Sequence, residues 1–185
     1  LDQPQFSHYR NDPSNPASLP HNTVLDILED RAGRLWVATG GGLARLDGET
    51  GAFISYGEKD GLPSELIYGI AEDDAGRLWV SSNNGLSRFD PESETFDNYG
   101  PADGVQSTEF NQGAALRTAD GHLLFGGING FNYFDPALVR SNPNPPAVAL
   151  TRFRLFNEVA PIGGDSPLPQ AIGETTAIIL PYDDD

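Results

Sequence analysis

The sequence repeats itself, and a repeat of this length confines the chain to an architecture of stacked, like units. Arg34-Leu35-Trp36-Val37 returns 43 residues later as Arg77-Leu78-Trp79-Val80, and 45 residues further on as His122-Leu123-Leu124-Phe125. Gly42-Leu43 recurs as Gly85-Leu86 and Gly130-Phe131. Leu46-Asp47 recurs as Phe89-Asp90-Pro91 and Phe134-Asp135-Pro136. A further marker, Phe-x-x-Tyr, stands at Phe6/Tyr9, Phe53/Tyr56 and Phe96/Tyr99. Chance does not keep these markers in one order three times over.

Inside each unit the apolar pattern has period two, the signature of strands. The first unit predicts strands over 24–30, 35–39, 43–47 and 53–56, and the second over 67–72, 78–82, 86–90 and 96–99. Gly33, Gly76 and Gly121 each close the first hairpin, where positive φ is needed. Gly 21 and Pro 15 suit many strands joined by turns. Four strands in about 43 residues is a propeller blade. The expected fold is therefore all-β: a partial β-propeller of three four-stranded blades, the last showing only three clear strands, over residues 1–139. The repeats fall at about 6–52, 53–95 and 96–139, and Phe6–Tyr9 reads as an outer-strand motif. Residues 140–147 form a Pro-rich linker, and 148–185 read as the start of a second, truncated β domain, with strands over 148–156 and 176–180.

Charge and composition exclude several functions. Lys+Arg 11 against Asp+Glu 27 leaves −16, a field that repels nucleic acid and anionic lipid. Cys 0 removes disulfides, thiolate metal sites and a cysteine nucleophile. His8, His21 and His122 occupy unequal positions in the repeat and make no catalytic spacing. No D-x-D-x-D-G spacing suggests calcium. Asp30, Asp73, Asp74 and Asp120, beside hairpin glycines, read as turn caps, and Trp36 and Trp79, flanked by Leu and Val, read as blade-to-blade core. No catalytic residue, metal site or cofactor is expected.

The run from Asn22-Thr23-Val24 through Gly33-Arg34-Leu35-Trp36-Val37 to Leu46-Asp47, with its second copy led in by Asp60-Gly61-Leu62-Pro63-Ser64, resembles the two-component regulator propeller repeat. Residues 109–132 resemble a last blade, and Val148 to Asn157 looks like the start of the immunoglobulin-like domain, named for three tyrosines, that follows in such receptors. The resemblance implies the periplasmic, ligand-sensing part of a bacterial inner-membrane receptor whose output is a histidine kinase or diguanylate cyclase. It implies no enzymatic activity, a ligand such as an oligosaccharide or other small polar molecule, and membrane attachment only through other parts of a receptor. Alternatives are a propeller lyase and a protein-interaction propeller.

In a propeller the loops entering the innermost strands and those between second and third strands gather at one end. There they carry Asn22, Glu65, Tyr68, Glu109 and Asn111, with Asn84 and Asn129 from the other set. Amides and carboxylates beside an aromatic ring suit hydroxyl-rich ligands, because each offers paired donors or acceptors. The same residue types also form turns. An unclosed set of blades leaves strand edges open, so self-association through those edges is a further expectation.

Overall fold

The structure, a computed structural model, describes residues 6–140, 152–155, 158–164, 168, 170, 172 and 178. The chain divides into two compact units, Leu1–Ser141 and Asn142–Asp185. In the first, Val24–Glu29 (β1), Leu35–Thr39 (β2), Gly42–Leu46 (β3) and Phe53–Tyr56 (β4) form an antiparallel sheet in sequential order. Ile67–Glu72 (β5), Leu78–Ser82 (β6), Gly85–Asp90 (β7) and Thr95–Tyr99 (β8) repeat it. Phe110–Arg117 (β9), Leu123–Gly127 (β10) and Gly130–Phe134 (β11) make a sheet of three. The markers Phe53/Tyr56 and Phe96/Tyr99 thus close the sheet that precedes them.

Phe6–Tyr9 departs from expectation, for it forms no strand. A fourth strand needs a free third strand beside it, and β3 and β7 already pair with β4 and β8. Phe6 is 90% exposed, while Tyr9 packs edge-on against Phe53 at 5.4 Å. In the second unit Arg154–Leu155 (β12) pairs with Glu158–Val159 (β13). The linker at 141–147, most of the strand expected over 148–156 and most of that over 176–180 lie outside the described residues.

Alternation along each strand builds the core between blades. Trp36, Ala38, Leu43 and Tyr56 of the first blade pack against Ile70, Leu78, Val80 and Phe89 of the second. Ala71, Trp79 and Leu86 then face Phe110, Leu123 and Phe125 of the third. On the opposite side of the first blade, Val37, Ala44 and Phe53 are covered by Leu19 from the lead-in segment. Both tryptophans are therefore core residues, as their sequence neighbours suggest.

Each tryptophan depends on an aspartate. The Asp30 carboxylate accepts from the backbone N–H of Ala32 and Arg34, from Arg34 Nε at 2.7 Å and from Trp36 Nε1 at 2.8 Å. Asp73 does the same for Ala75, Arg77 and Trp79. The third blade has Thr118 at this position and Leu124 in place of the indole, so the acceptor and the donor are lost together. The aspartates cap turns, and the close of each hairpin at Gly33, Gly76 and Gly121 has φ 78°, 78° and 90°.

Polar links also cross between blades. Asp26 Oδ2 accepts from the backbone N–H of Ile70 at 2.8 Å. Arg31 reaches Glu72, Asp74 and the Asp73 carbonyl, and Arg117 returns to Asp74 at 2.6 Å. Arg31 and Asp74 are largely exposed, so solvent and salt weaken these pairs. More buried is the hydrogen bond from Tyr56 Oη to Glu94 Oε1, 2.7 Å. Glu94 has φ 54°, in the left-handed region, at the turn position where the first blade has Gly51 with φ 73°. A non-glycine residue there costs about 1 kcal/mol or more, offset here by the bond to the neighbouring blade.

Burial first, then the bond and charge of Glu94, push the Tyr56 phenol up to about 12. Its folded pKa lies above the ordinary value of 10.0, so the stability tied to its proton is complete below that pH. That contribution is lost as pH rises through about 12. Tyr56→Phe is expected to lower stability by about 1.5 kcal/mol at neutral pH and to flatten the alkaline limb of the unfolding curve. Urea titrations at neutral pH and at pH values on either side of the tyrosine range check both.

Candidate ligand-binding face

The pairing register decides which loops share an end. Val24 opposes Thr39 and Thr39 opposes Gly42, so the entry to β1 and the β2–β3 turn are neighbours. Ile67, Ser82 and Gly85 repeat this in the second blade, and Phe110, Gly127 and Gly130 in the third. Every residue singled out from the sequence stands at that end of its blade.

A feature the repeat pattern hides also lies there: each first strand is bulged. Register shifts leave Leu25 and Tyr68 as the extra residue in β1 and β5. In β9 the shift is larger, for Asn111 to Ala114 lie opposite Gly126 alone, and Gly113 takes φ 71° to make the turn. A bulge detaches side chains from the ladder and re-aims them, which suits it to the rim of a site. Asn111, Gln112 and Gly113 are all exposed. The two residues by which the third repeat is longer than the second were the available sequence signal, and alternation alone does not reveal it.

Three of the seven expected site residues hold the loops together. Asn84 Nδ2 donates to the Pro63 carbonyl at 2.9 Å, and Asn129 Nδ2 donates to that of Gln106 at 3.0 Å. These are the same bond in successive blades, tying the turn between second and third strands to the lead-in loop. The first blade has Gly41 there, where an added Cβ would lie 3.0 Å from the Pro20 carbonyl oxygen. Asn22 Oδ1 accepts from the Asn11 backbone at 2.9 Å. Gln106, unmarked in the sequence reading, organises the third loop: its Oε1 accepts from Asn129 N, and its Nε2 donates to the Glu109 carbonyl.

The other four present unused groups. Glu65 and Glu109 are exposed, and their carboxylates accept no hydrogen bond among the described residues. Glu65 contributes its backbone carbonyl, which accepts from Gly42 N at 2.6 Å and joins the first blade to the second. Asn111, exposed, and Tyr68, half-buried against the core of the second and third blades, sit on the bulges. This end of the blades therefore carries carboxylates, an amide and a phenol on neighbouring inner elements. Among the described residues no three His, Asp or Glu side chains converge as a metal site would require. The histidines lie apart: His8 accepts from Arg10 Nε, His21 from Thr23 N, and His122 stacks on Tyr133 at 4.7 Å.

Known proteins share this design. Over 162 residues, 87% of this chain, it is 33% identical to histidine kinase P4 of Formosa agariphila, of which it spans 9%. Among solved structures it resembles the extracellular domain of BT3049 from B. thetaiotaomicron, a protein assigned as a hybrid two-component system. There the TM-score is 0.63 and the identity 29%, over 77% of this chain and 21% of that one. The extracellular domain of BT4673 from the same organism gives a TM-score of 0.59 and 25% identity, over 69% of this chain and 19% of that one. No helix among the described residues is long and apolar enough to cross a membrane. Residues 18–41 and 61–84 match the two-component regulator propeller model, each match running from the lead-in loop through the second strand. Those stretches hold the Asp–Trp hairpin and the bulged inner strand of the first and second blades, so the chain carries two copies of the two-component regulator propeller repeat and is similar in sequence and fold to receptors described as two-component systems.

Proposed function

We propose that this chain is part of the extracytoplasmic, periplasmic sensing region of a bacterial signal-transduction receptor. It works by binding a hydroxyl-rich small molecule, a carbohydrate in the first instance, without transforming it. The observation that carries this reading is the bulged end of the blades. Glu65 and Glu109 offer acceptors, Asn111 an amide and Tyr68 a phenol, with no partner for their side-chain polar groups among the described residues. Carboxylates and amides engage vicinal hydroxyls in pairs, and an aromatic ring covers the apolar face of a sugar. The extracellular relatives support the location and the sensing role. The net charge of −16 favours neutral or cationic ligands over anionic ones.

Isothermal calorimetry with a panel of neutral oligosaccharides tests this. At least one binds, and Glu65→Gln, Glu109→Gln or Asn111→Ala each weakens it about tenfold, the loss of one hydrogen bond to a charged or amide group. Glu49→Gln, on a turn at the far end of the first blade, changes nothing. Absence of binding across the panel, or affinity indifferent to all three substitutions, overturns the proposal.

A further inference from the structure

At the bulged end of the first blade one side chain breaks the repeat. The lead-in loops align as Leu19-Pro20-His21-Asn22, Leu62-Pro63-Ser64-Glu65 and Val105-Gln106-Ser107-Thr108. In the second and third, the Ser64 and Ser107 hydroxyls accept from the backbone N–H two residues on, at 3.1 and 3.4 Å. His21 makes the same bond with a ring nitrogen, for its Nδ1 accepts from Thr23 N at 3.0 Å. A serine is enough for this cap. The imidazole therefore brings a ring and a second nitrogen that the turn does not need.

The β2–β3 turn makes room for that ring. Where the second and third blades have Asn83-Asn84 and Ile128-Asn129, the first has Gly40-Gly41. A Cβ on Gly40 would lie 2.8 Å from His21 Nδ1 and 3.1 Å from its Cε1, and one on Gly41 would lie 3.1 Å from His21 Cβ. A side chain on this turn and the imidazole exclude each other. Gly42, next in the turn, donates its N–H to the Glu65 carbonyl at 2.6 Å. His21 and Glu65 thus flank one turn.

The bond to Thr23 also fixes where the ring carries its proton. An Nδ1 that accepts holds no hydrogen, so the neutral imidazole of His21 has its N–H at Nε2. His21 is exposed, and that N–H finds no acceptor among the described residues. The carboxylates of Glu65 and Glu109 only accept, so a hydroxyl-rich ligand held by them leaves its own acceptor oxygens to be matched by donors. Given the ligand-binding role proposed above for this end, on which the assignment rests, we propose that His21 is a further ligand-contacting residue. Its Nδ1 shapes the entry to β1, and its Nε2–H donates to a ligand oxygen beside the hydroxyl that donates to Glu65. The ligand is then one that presents a donor and an acceptor side by side, as a diol does.

Two measurements on the full chain decide the matter. In proton–nitrogen correlation spectra of the imidazoles, His21 should show a bare Nδ1 and a protonated Nε2. The tightest-binding neutral oligosaccharide of the calorimetry panel should shift that Nε2 signal and leave the signals of His122 in place. His21→Ser keeps the cap, as Ser64 and Ser107 do, so its urea unfolding midpoint should match the parent. Its affinity for the same oligosaccharide should nonetheless fall about fivefold, the loss of one neutral hydrogen bond. Unchanged affinity in His21→Ser, a proton on Nδ1, or an Nε2 signal indifferent to the oligosaccharide overturns the assignment. If Glu109→Gln still weakens binding in that case, the ligand-binding face stands without His21. Absence of binding across the panel overturns both.

Discussion

Trp36→Ala is expected to cost about 4 kcal/mol of unfolding free energy, within the range for emptying a large buried aromatic site. Trp36 is fully buried. It contacts Tyr56 at 6.2 Å and Phe89 edge-on at 5.6 Å, so one side chain joins the fourth strand of its own blade to the third strand of the next. The guanidinium groups of Arg34 and Arg45 lie 5.8 Å from the centroid of its ring. Little in this setting can collapse into the void, since the neighbours are held by two separate sheets. Unfolding in urea, followed by circular dichroism, measures the loss. Because blades are stacked in series, the transition of the variant should also broaden, with the first blade separating from the others. A loss below about 1 kcal/mol would mean that the blade interface tightens far more than native packing normally allows.

Asp30→Ala is expected to cost about 3 kcal/mol, since it strips a buried carboxylate that satisfies several donors. Two backbone N–H groups, Arg34 Nε and the indole of Trp36 all lose their acceptor. Burial opposes the charge on Asp30, but the bonds from Trp36 and Arg34 and the Arg34 charge outweigh it and hold the carboxyl below its ordinary value. A depressed folded pKa means that the stability it brings is present above the ordinary value of 3.8 and is lost as pH falls through the folded one. Acid unfolding of Asp30→Asn should therefore be shallower than that of the parent over that window. The two substitutions share a hydrogen bond, so their combined effect should fall short of the sum, and a double-mutant cycle with Trp36→Phe isolates it. Strict additivity would show that the Asp30–Trp36 bond contributes nothing.

Much of this was legible before the structure. Period-two patterns placed strands at 24, 35, 43 and 53 and their counterparts to within a residue or two, because half-buried sheet positions must alternate. The tryptophans declared themselves as core by their Leu and Val neighbours, and Asp30 and Asp73 as turn caps, whereas Asp74, read the same way, pairs with Arg31 and Arg117, and Asp120 with Thr118 and His122. Phe6–Tyr9 shows the limit. It carries the side chains of an outer strand, but a strand is made by its neighbour, and no third strand in the first blade is free to accept it. The candidate site was legible in outline only. Asn84 and Asn129 share a sequence position, yet only coordinates reveal that their amides bind the lead-in carbonyls.

The sequence by itself determined the blade: its four-strand order, its glycine turns, its Asp–Trp hairpin and the face each strand buries. Those are local matters, settled by side-chain period and backbone conformation within about forty residues. Tertiary structure decided the bulge that re-aims Tyr68 and the left-handed Glu94 held by Tyr56 of another blade, while at Asn111 two extra residues mark the place and only the structure gives the bulge its form. The bulges depend on how a strand pairs with its neighbour and Glu94 on how one sheet meets another, and neither leaves a period in the chain to read.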